Sequence, residues 1–149
     1  MNIFEALKKD HEKQRALLNT LTSTSGSSDL RDETFIELKT QLEEHAKYEE
    51  RNFYKPLLDH DVSQEMTRHS IAEHKEIDDL VEDLEKLETS APTWLRKAKE
   101  LEHLVLHHLE EEEREVFQLA GKALNEKQKT SLAKEYEKDI NSTDARPHA

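Results

Sequence analysis

Apolar residues recur at intervals of three and four positions through four long segments of this chain, and only two glycines and three prolines interrupt it. That spacing places the apolar side chains on one face of an α-helix. The 149 residues contain no break in composition that would separate two cores, which predicts one domain. Short loops between long helices favour an all-α fold, an antiparallel up-down-up-down four-helix bundle with a short C-terminal helix.

The turn residues and candidate caps set the expected helix boundaries. Ser28 or Asp29 is placed to cap the second helix, and Ser63 is placed to cap the third. The bundle domain is predicted to span residues 1–140, followed by a frayed tail at residues 141–149. The predicted helices run from Ile3 to Leu21, from Asp29 to about Leu58, from about Ser63 to Leu87, from Thr93 or Trp94 to Ala120, and from Asn125 to Ile140.

The charge and composition exclude several classes of function. With 22 basic and 34 acidic residues the net charge is −12, which disfavours a nucleic-acid backbone or an anionic membrane as partner. The chain has no cysteine, so disulfides, thiolate metal sites and cysteine nucleophiles are excluded. No apolar run has the length of a signal peptide or a membrane span. We therefore expect a soluble, cytoplasmic monomer or homodimer.

Histidine and glutamate interrupt the apolar stripes of two predicted helices. The stripe of the fourth helix continues into His108 and Glu112 and then into Val116 and Leu119, and that of the second helix continues into His45 and Glu49. The His-x-x-x-Glu spacing stacks the two side chains on one helix face. Burying an imidazole and a carboxylate without partners costs several kcal/mol, so something must pair with them.

His11 and His74 occupy the corresponding core-facing positions of the first and third helices. A cluster of imidazoles and carboxylates suits iron, manganese or zinc, whereas calcium and magnesium prefer oxygen ligands almost throughout. Six ligands are too many for one tetrahedral zinc but are about right for two metal ions with bridging glutamates. The predicted metal ligands are His11, His45, Glu49, His74, His108 and Glu112.

These residues also resemble a known family. The order His11, His45-x-x-x-Glu49-Glu50, Glu73-His74 and His108-x-x-x-Glu112-Glu113 resembles the haemerythrin-like HHE cation-binding domain family over about residues 1–120. The resemblance implies a four-helix bundle with a non-haem di-iron centre, in which two iron ions share an oxo or hydroxo bridge. It implies that Glu49 and Glu112 bridge the metals and that His11, His45, His74 and His108 are terminal ligands.

The chain departs from the oxygen-carrying members of that family at three positions. Ser70 and Asp78 stand where those proteins have a second histidine on the third helix, and Glu113 stands where they tend to have aspartate. These departures imply a more accessible centre and count against reversible oxygen carriage.

Several neighbouring residues keep two interpretations. His69, His103 and Glu113 would join the metal shell only through a distorted helix or an altered phase. Tyr48 and Tyr54 are either proton donors near the site or packing residues. The residues expected to be solvated are Glu50, Glu110, Glu111, His60, His107 and His148.

The leading functional hypothesis is a non-haem di-iron protein that binds or reduces a small oxidant, namely O2, NO or peroxide, or that senses or handles iron. Sustained turnover would need an external electron donor, because the chain has neither cysteines for a second cluster nor a dinucleotide fingerprint. The alternative is a metal-stabilised helical interaction module without catalytic chemistry. A plain helical adaptor with hydrogen-bonded core histidines is a third hypothesis. No catalytic residue is assigned.

Overall fold

The structure is a computed structural model that describes residues 1–144, with side chains described through residue 142. Within these residues the fold is all-α, as predicted, and no strand occurs. None of the described helices combines the length and the apolar character needed to cross a bilayer. The helices are α1 (Ile3–Thr22), α2 (Asp29–Glu49, continued by Glu50–Tyr54 and Lys55–Leu57), α3 (Asp61–Lys86), α4 (Pro92–Glu111, continued by Glu112–Val116 and Phe117–Ala123) and α5 (Glu126–Asp144).

The helix ends follow local capping chemistry. Ser28 caps α2, because its side chain accepts a hydrogen bond from the backbone N–H of Arg31. The predicted Ser63 cap is wrong, because α3 begins at Asp61 and the buried Ser63 hydroxyl instead donates to the carbonyl of Leu57. At the other end of the chain, α5 continues to Asp144, and the rest of the expected tail lies outside the described residues.

Two π-helical turns interrupt the long helices, at Glu50–Tyr54 in α2 and at Glu112–Val116 in α4. A π turn hydrogen-bonds residue i to i+5 and so accommodates one extra residue. The sequence predicted the stripe of α4 to continue from Val116 to Leu119. Because of the extra residue, Phe117 is buried beside Val116, and Leu119 is only half-buried.

The four long helices run antiparallel, and their buried side chains form two apolar clusters separated by a polar layer. The first apolar cluster contains the beginning of α1 and the ends of α2 and α4, and α5 packs on it. The second contains the other ends of the four long helices. The polar layer between them consists of His11, His45, Glu49, His74, His108 and Glu112.

Arg31 closes the end of the bundle remote from the polar layer. Its buried guanidinium donates to the hydroxyl and carbonyl of Thr24 and to the carbonyl of Thr89, and so ties together two loops. The same guanidinium lies 4.8 Å from the ring centroid of Trp94, at the start of α4. This end of the fold is therefore held together without the polar layer.

Candidate metal centre

The structure brings all six predicted ligand residues together in the polar layer. His11 comes from α1 and His74 from α3, while α2 and α4 each supply a histidine and a glutamate one turn apart. All six side chains are buried. Their ligand atoms form two groups of four, and the atoms of each group lie within 4.8 Å of one another. The groups are His11, His45, Glu49 and Glu112, and Glu49, His74, His108 and Glu112.

Glu49 belongs to both groups and directs one carboxylate oxygen to each. Its Oε2 atom lies 3.3 Å from Nε2 of His45 and 3.9 Å from Nε2 of His11. Its Oε1 atom lies 3.1 Å from Nε2 of His74. A carboxylate divided in this way has the arrangement of a ligand that bridges two cations.

Glu112 is divided in the same way. Its Oε1 atom lies 3.0 Å from Nε2 of His11, and its Oε2 atom lies 3.5 Å from Nε2 of His108. Tyr54, which the π turn of α2 brings toward this layer, donates its hydroxyl hydrogen to Oε2 of Glu112. Tyr54 therefore lies at the site, which was one of its two interpretations. Tyr48 is buried and packs against Lys47 and Arg51, which was the other.

The unpartnered atoms of this layer fit a bound cation. Among the described residues, seven buried side-chain nitrogen and oxygen atoms have no hydrogen-bond partner, and five of them belong to the polar layer. In addition, Nε2 of His74 faces Nε2 of His108 at 3.1 Å. Leaving such atoms unpaired in a protein interior costs free energy, which a cation bound between them would offset. The five atoms are Nε2 of His11 and His45, both oxygens of Glu49, and Oε1 of Glu112.

Each imidazole is also held at its outer nitrogen. Nδ1 of His11 lies 2.7 Å from Glu113, Nδ1 of His74 lies 3.1 Å from Glu50, and Nδ1 of His108 lies 2.8 Å from Glu73. Carboxylates accept hydrogen bonds, so these partners favour the tautomer with hydrogen on Nδ1. The Nε2 lone pairs are then directed into the layer, as metal-ligating histidines require.

His45 has a different outer partner, supplied by α5. Its Nδ1 atom lies 2.6 Å from the hydroxyl oxygen of Tyr136, and that hydroxyl donates to the buried Asp10. The phenol thus accepts from His45 and donates to Asp10. Burial raises the pKa of Asp10, but the nearby His45, whose Nδ1 atom lies 3.6 Å away, and the hydrogen bond from Tyr136 outweigh burial and hold the pKa below its ordinary value.

In the absence of a cation, protons balance the charge of this layer. Burial lowers the pKa of His74, but Glu49 and Glu50 outweigh it and raise the pKa to about 10. Burial likewise opposes protonation of His11, yet Glu112 and Glu113 raise its pKa well above the ordinary range. The pKa of Glu49 lies well below its ordinary value despite burial, because three histidines surround it.

Sequence reasoning missed most of the outer partners. Glu50 was expected to be solvated but bonds to His74, and Glu113 contacts the outer nitrogen of His11 rather than the inner layer. The sequence did contain a signal for Glu50 and Glu113, because each follows an inward glutamate in a repeated His-x-x-x-Glu-Glu pattern. Tyr136 carried no such signal, because it lies 91 positions from His45.

The other histidines that the structure describes lie outside the polar layer. His69, His103 and His107 have exposed side chains, so neither His69 nor His103 joins the layer. His60 is half-buried at the start of α3, and His148 lies outside the described residues. Glu110 is exposed as expected, whereas Glu111 is half-buried.

Comparison with known protein families agrees with this geometry. Residues 2–120 match the family described as Hemerythrin HHE cation binding domain. The chain belongs to the haemerythrin HHE family. The match covers α1 to α3 and α4 as far as Ala120, so Tyr136 of α5 lies outside the matched residues. The buried histidines and glutamates of this HHE domain are groups that could hold the metal cation.

Two individual proteins are similar to this HHE chain. The crystal structure of a hemerythrin HHE cation binding domain-containing protein from Mycobacterium kansasii superposes on this chain with a TM-score of 0.87. The match covers 96% of this chain and 87% of the M. kansasii chain, at 20% sequence identity, and shows that the two share a fold. A protein of Nostoc sp. named DNA nickase is 26% identical over 136 residues. That alignment covers 91% of this chain but only 38% of the Nostoc protein.

Proposed function

We propose that this HHE domain holds two iron ions in its polar layer and binds or reduces a small oxidant. The observation that carries the proposal is the division of Glu49 and Glu112 between two histidine pairs. Each cation would take two imidazoles and share two carboxylates. Iron suits this mixed nitrogen and oxygen donor set, with manganese or zinc as alternatives.

Two ferrous ions would supply the electrons by which O2, NO or peroxide is bound or reduced. The protein's own contribution is to position the ligands and to hold a protonated phenol beside them. Outer hydrogen bonds hold the four imidazoles with Nε2 inward, and the two apolar clusters exclude bulk water. Burial and the nearby charges of Glu112 and Glu49 raise the pKa of Tyr54, so its hydroxyl keeps its proton beside the layer.

Access to the layer is through the face between α2 and α3. A cavity of about 10 Å³ borders His45, His74 and His108, which is room for about one water-sized molecule. A groove of about 590 Å³ on the surface shares His74, Ala46 and Asp78 with that cavity. This small volume favours a ligand of very few atoms, such as a diatomic molecule or peroxide, over a bulky organic substrate.

The partners that we propose are this small oxidant and an external electron donor, in a soluble cytoplasmic monomer or homodimer. Nicking of DNA, the activity in the name of the Nostoc relative, is not part of the proposal. The chain spans 38% of that protein, and its net charge of −12 opposes binding to a phosphate backbone.

One observation supports a second candidate, a metal-stabilised interaction module. The polar layer divides the core into two apolar clusters and receives a side chain from each long helix. A cation there would tie four helices together without any redox chemistry.

Anaerobic loading with Fe²⁺ followed by exposure to air separates the two candidates. A redox-active pair is expected to develop the near-ultraviolet and visible absorption of coupled ferric ions. Binding of two iron ions without any spectral change in air would favour the structural module. Absence of bound metal after removal by a chelator and reloading would reject both.

The ligand assignment is tested with a matched pair of variants on α4. Glu112→Ala should lose at least one iron ion per chain, because both histidine pairs share this carboxylate. Glu110→Ala should keep the full metal content, because Glu110 is exposed and pairs with Arg114. Metal analysis of both proteins after reloading measures the difference, and equal losses would contradict the assignment.

A further inference from the structure

A second set of His-x-x-x-Glu pairs lies outside the polar layer. His69 and Glu73 on α3 have the same spacing as His107 and Glu111 on α4, and as the two inward pairs. Each spacing stacks a histidine over a glutamate on one helix face. Because α3 and α4 pack against each other, the two outer pairs meet at their shared surface.

The side chains of these four residues, the outer cluster, already converge. Nε2 of His69 lies 3.1 Å from Oε1 of Glu111 and 3.6 Å from Oε2 of Glu73. Nε2 of His107 lies 3.1 Å from Oε2 of Glu111. The ligand atoms of His69, Glu73 and Glu111 all lie within 4.8 Å of one another, and the contact of His107 with Glu111 places it next to them.

The partners of these carboxylates distinguish the cluster from ordinary surface ion pairs. Exposed glutamates elsewhere pair with lysine or arginine, as Glu85 does with Lys39. In the described part of the chain, the ion pairs of Glu73 and Glu111 are formed with histidines alone. With neutral imidazoles the cluster carries a charge of −2, which a divalent cation neutralises.

We infer that the outer cluster is a binding site for a single divalent cation of the Zn²⁺ or Fe²⁺ type. Two imidazole nitrogens and two carboxylate oxygens form the four-donor set that such ions accept, whereas Ca²⁺ and Mg²⁺ prefer oxygen donors. The half-buried Glu111 and the buried Glu73 are held by packing. The exposed side chains of His69 and His107 are free to turn toward the ion, and the site opens to solvent.

Glu73 joins this site to the buried layer. Its Oε1 atom lies 2.8 Å from Nδ1 of His108, while its Oε2 atom faces His69. Replacing Glu73 would therefore disturb both sites, and a clean test must use the two exposed histidines instead. The ion pairs of His69 and His107 are formed with Glu73 and Glu111, so neither imidazole is paired with one of the six residues of the polar layer.

The test is a Zn²⁺ titration of the full chain in competition with a chromophoric chelator. Wild-type protein is compared with the double variant His69→Ala/His107→Ala and with His103→Ala, another exposed histidine of α4. The double variant should bind one Zn²⁺ ion fewer per chain than the wild type, and His103→Ala should bind the same number. Circular dichroism checks that all three proteins keep the same helix content.

The difference of one ion does not depend on how many ions the buried layer holds, so the result is independent of the proposed di-iron centre. Glu111→Gln should also lose the ion, because it removes the negative charge of the carboxylate that contacts both histidines. Equal stoichiometry in the wild type and the double variant would overturn the inference.

Discussion

The outer hydrogen bond of each buried imidazole decides how well its inner nitrogen can bind a cation. A partner at Nδ1 fixes both the tautomer and the orientation of the ring, and a carboxylate partner also makes Nε2 more basic. Three of the four histidines have a glutamate in this role, whereas His45 has the neutral phenol of Tyr136. The four ligand positions are therefore unequal, although the inner geometry is nearly symmetric.

Removing one of these carboxylates should weaken metal binding without removing a ligand. Glu113→Ala leaves Nδ1 of His11 without its partner at 2.7 Å. Loss of such a partner typically reduces metal affinity by about 10- to 100-fold. Competition with a chelator of known affinity measures the change.

The control for this variant is Glu115→Ala, which removes the same charge from an exposed position of the same turn. Its metal affinity should stay within about two-fold of the wild type, because surface charges contribute little. If the two variants lose affinity equally, the effect comes from charge at a distance and not from the hydrogen bond.

Among the helical elements, the two π turns could not be predicted from the sequence. Regular apolar spacing predicted the four long helices and the inward His-x-x-x-Glu pairs. The same spacing assumed unbroken α-helix beyond Glu49 and Glu112, where each π turn changes the phase by one residue. The wider turn depends on packing against other helices, which a one-dimensional pattern does not contain. The position of Tyr54 at Glu112 therefore appears only in three dimensions.

The fifth helix packs on the first apolar cluster and also contributes a side chain that contacts the metal-site histidine His45. In the sequence, Tyr136 is one of a few apolar residues in a segment rich in lysine and glutamate. In the fold its hydroxyl lies between His45 and the buried Asp10, which are 35 residues apart. A contact across three helices leaves no periodic trace in the sequence, so this role could not be predicted.

Tyr136→Phe should affect both stability and metal binding. It removes the donor to buried Asp10 and the acceptor for His45, and an unsatisfied buried group costs about 1–3 kcal/mol. Urea unfolding should be measured with and without bound metal. We expect a lower free energy of unfolding in both states and a smaller gain on adding metal. An unchanged gain would mean that Tyr136 stabilises the fold alone and does not position His45.

At the scale of the whole molecule, the metal-free and metal-loaded proteins should respond to pH in opposite ways. Without metal, protons on His11, His45 and His74 offset the carboxylate charge around them. The raised pKa of His74, about 10, means that its stabilising effect is complete below its ordinary value of 6.5 and is lost as the pH rises toward 10. The pKa of Glu49 is lowered, so its carboxylate stabilises the folded state fully above its ordinary pKa of 4.5. This contribution to stability is lost as the pH falls below that value.

Metal-free protein should therefore be most stable between about pH 4.5 and 6.5 and should lose on the order of a few kcal/mol by pH 9. Metal binds imidazoles whose inner nitrogen is unprotonated. The stability gained on adding metal should therefore increase as the pH rises toward 9. Urea unfolding at pH 5.5, 7 and 9, in excess chelator or in saturating Zn²⁺, measures the stability of both forms against pH.

Adding Zn²⁺ to weakly buffered protein at pH 7 should also release protons, because the raised pKa values of His11, His45 and His74 favour protonation there. Metal-free protein that gains stability from pH 6 to pH 9, or metal uptake without proton release, would contradict the proton-balanced layer.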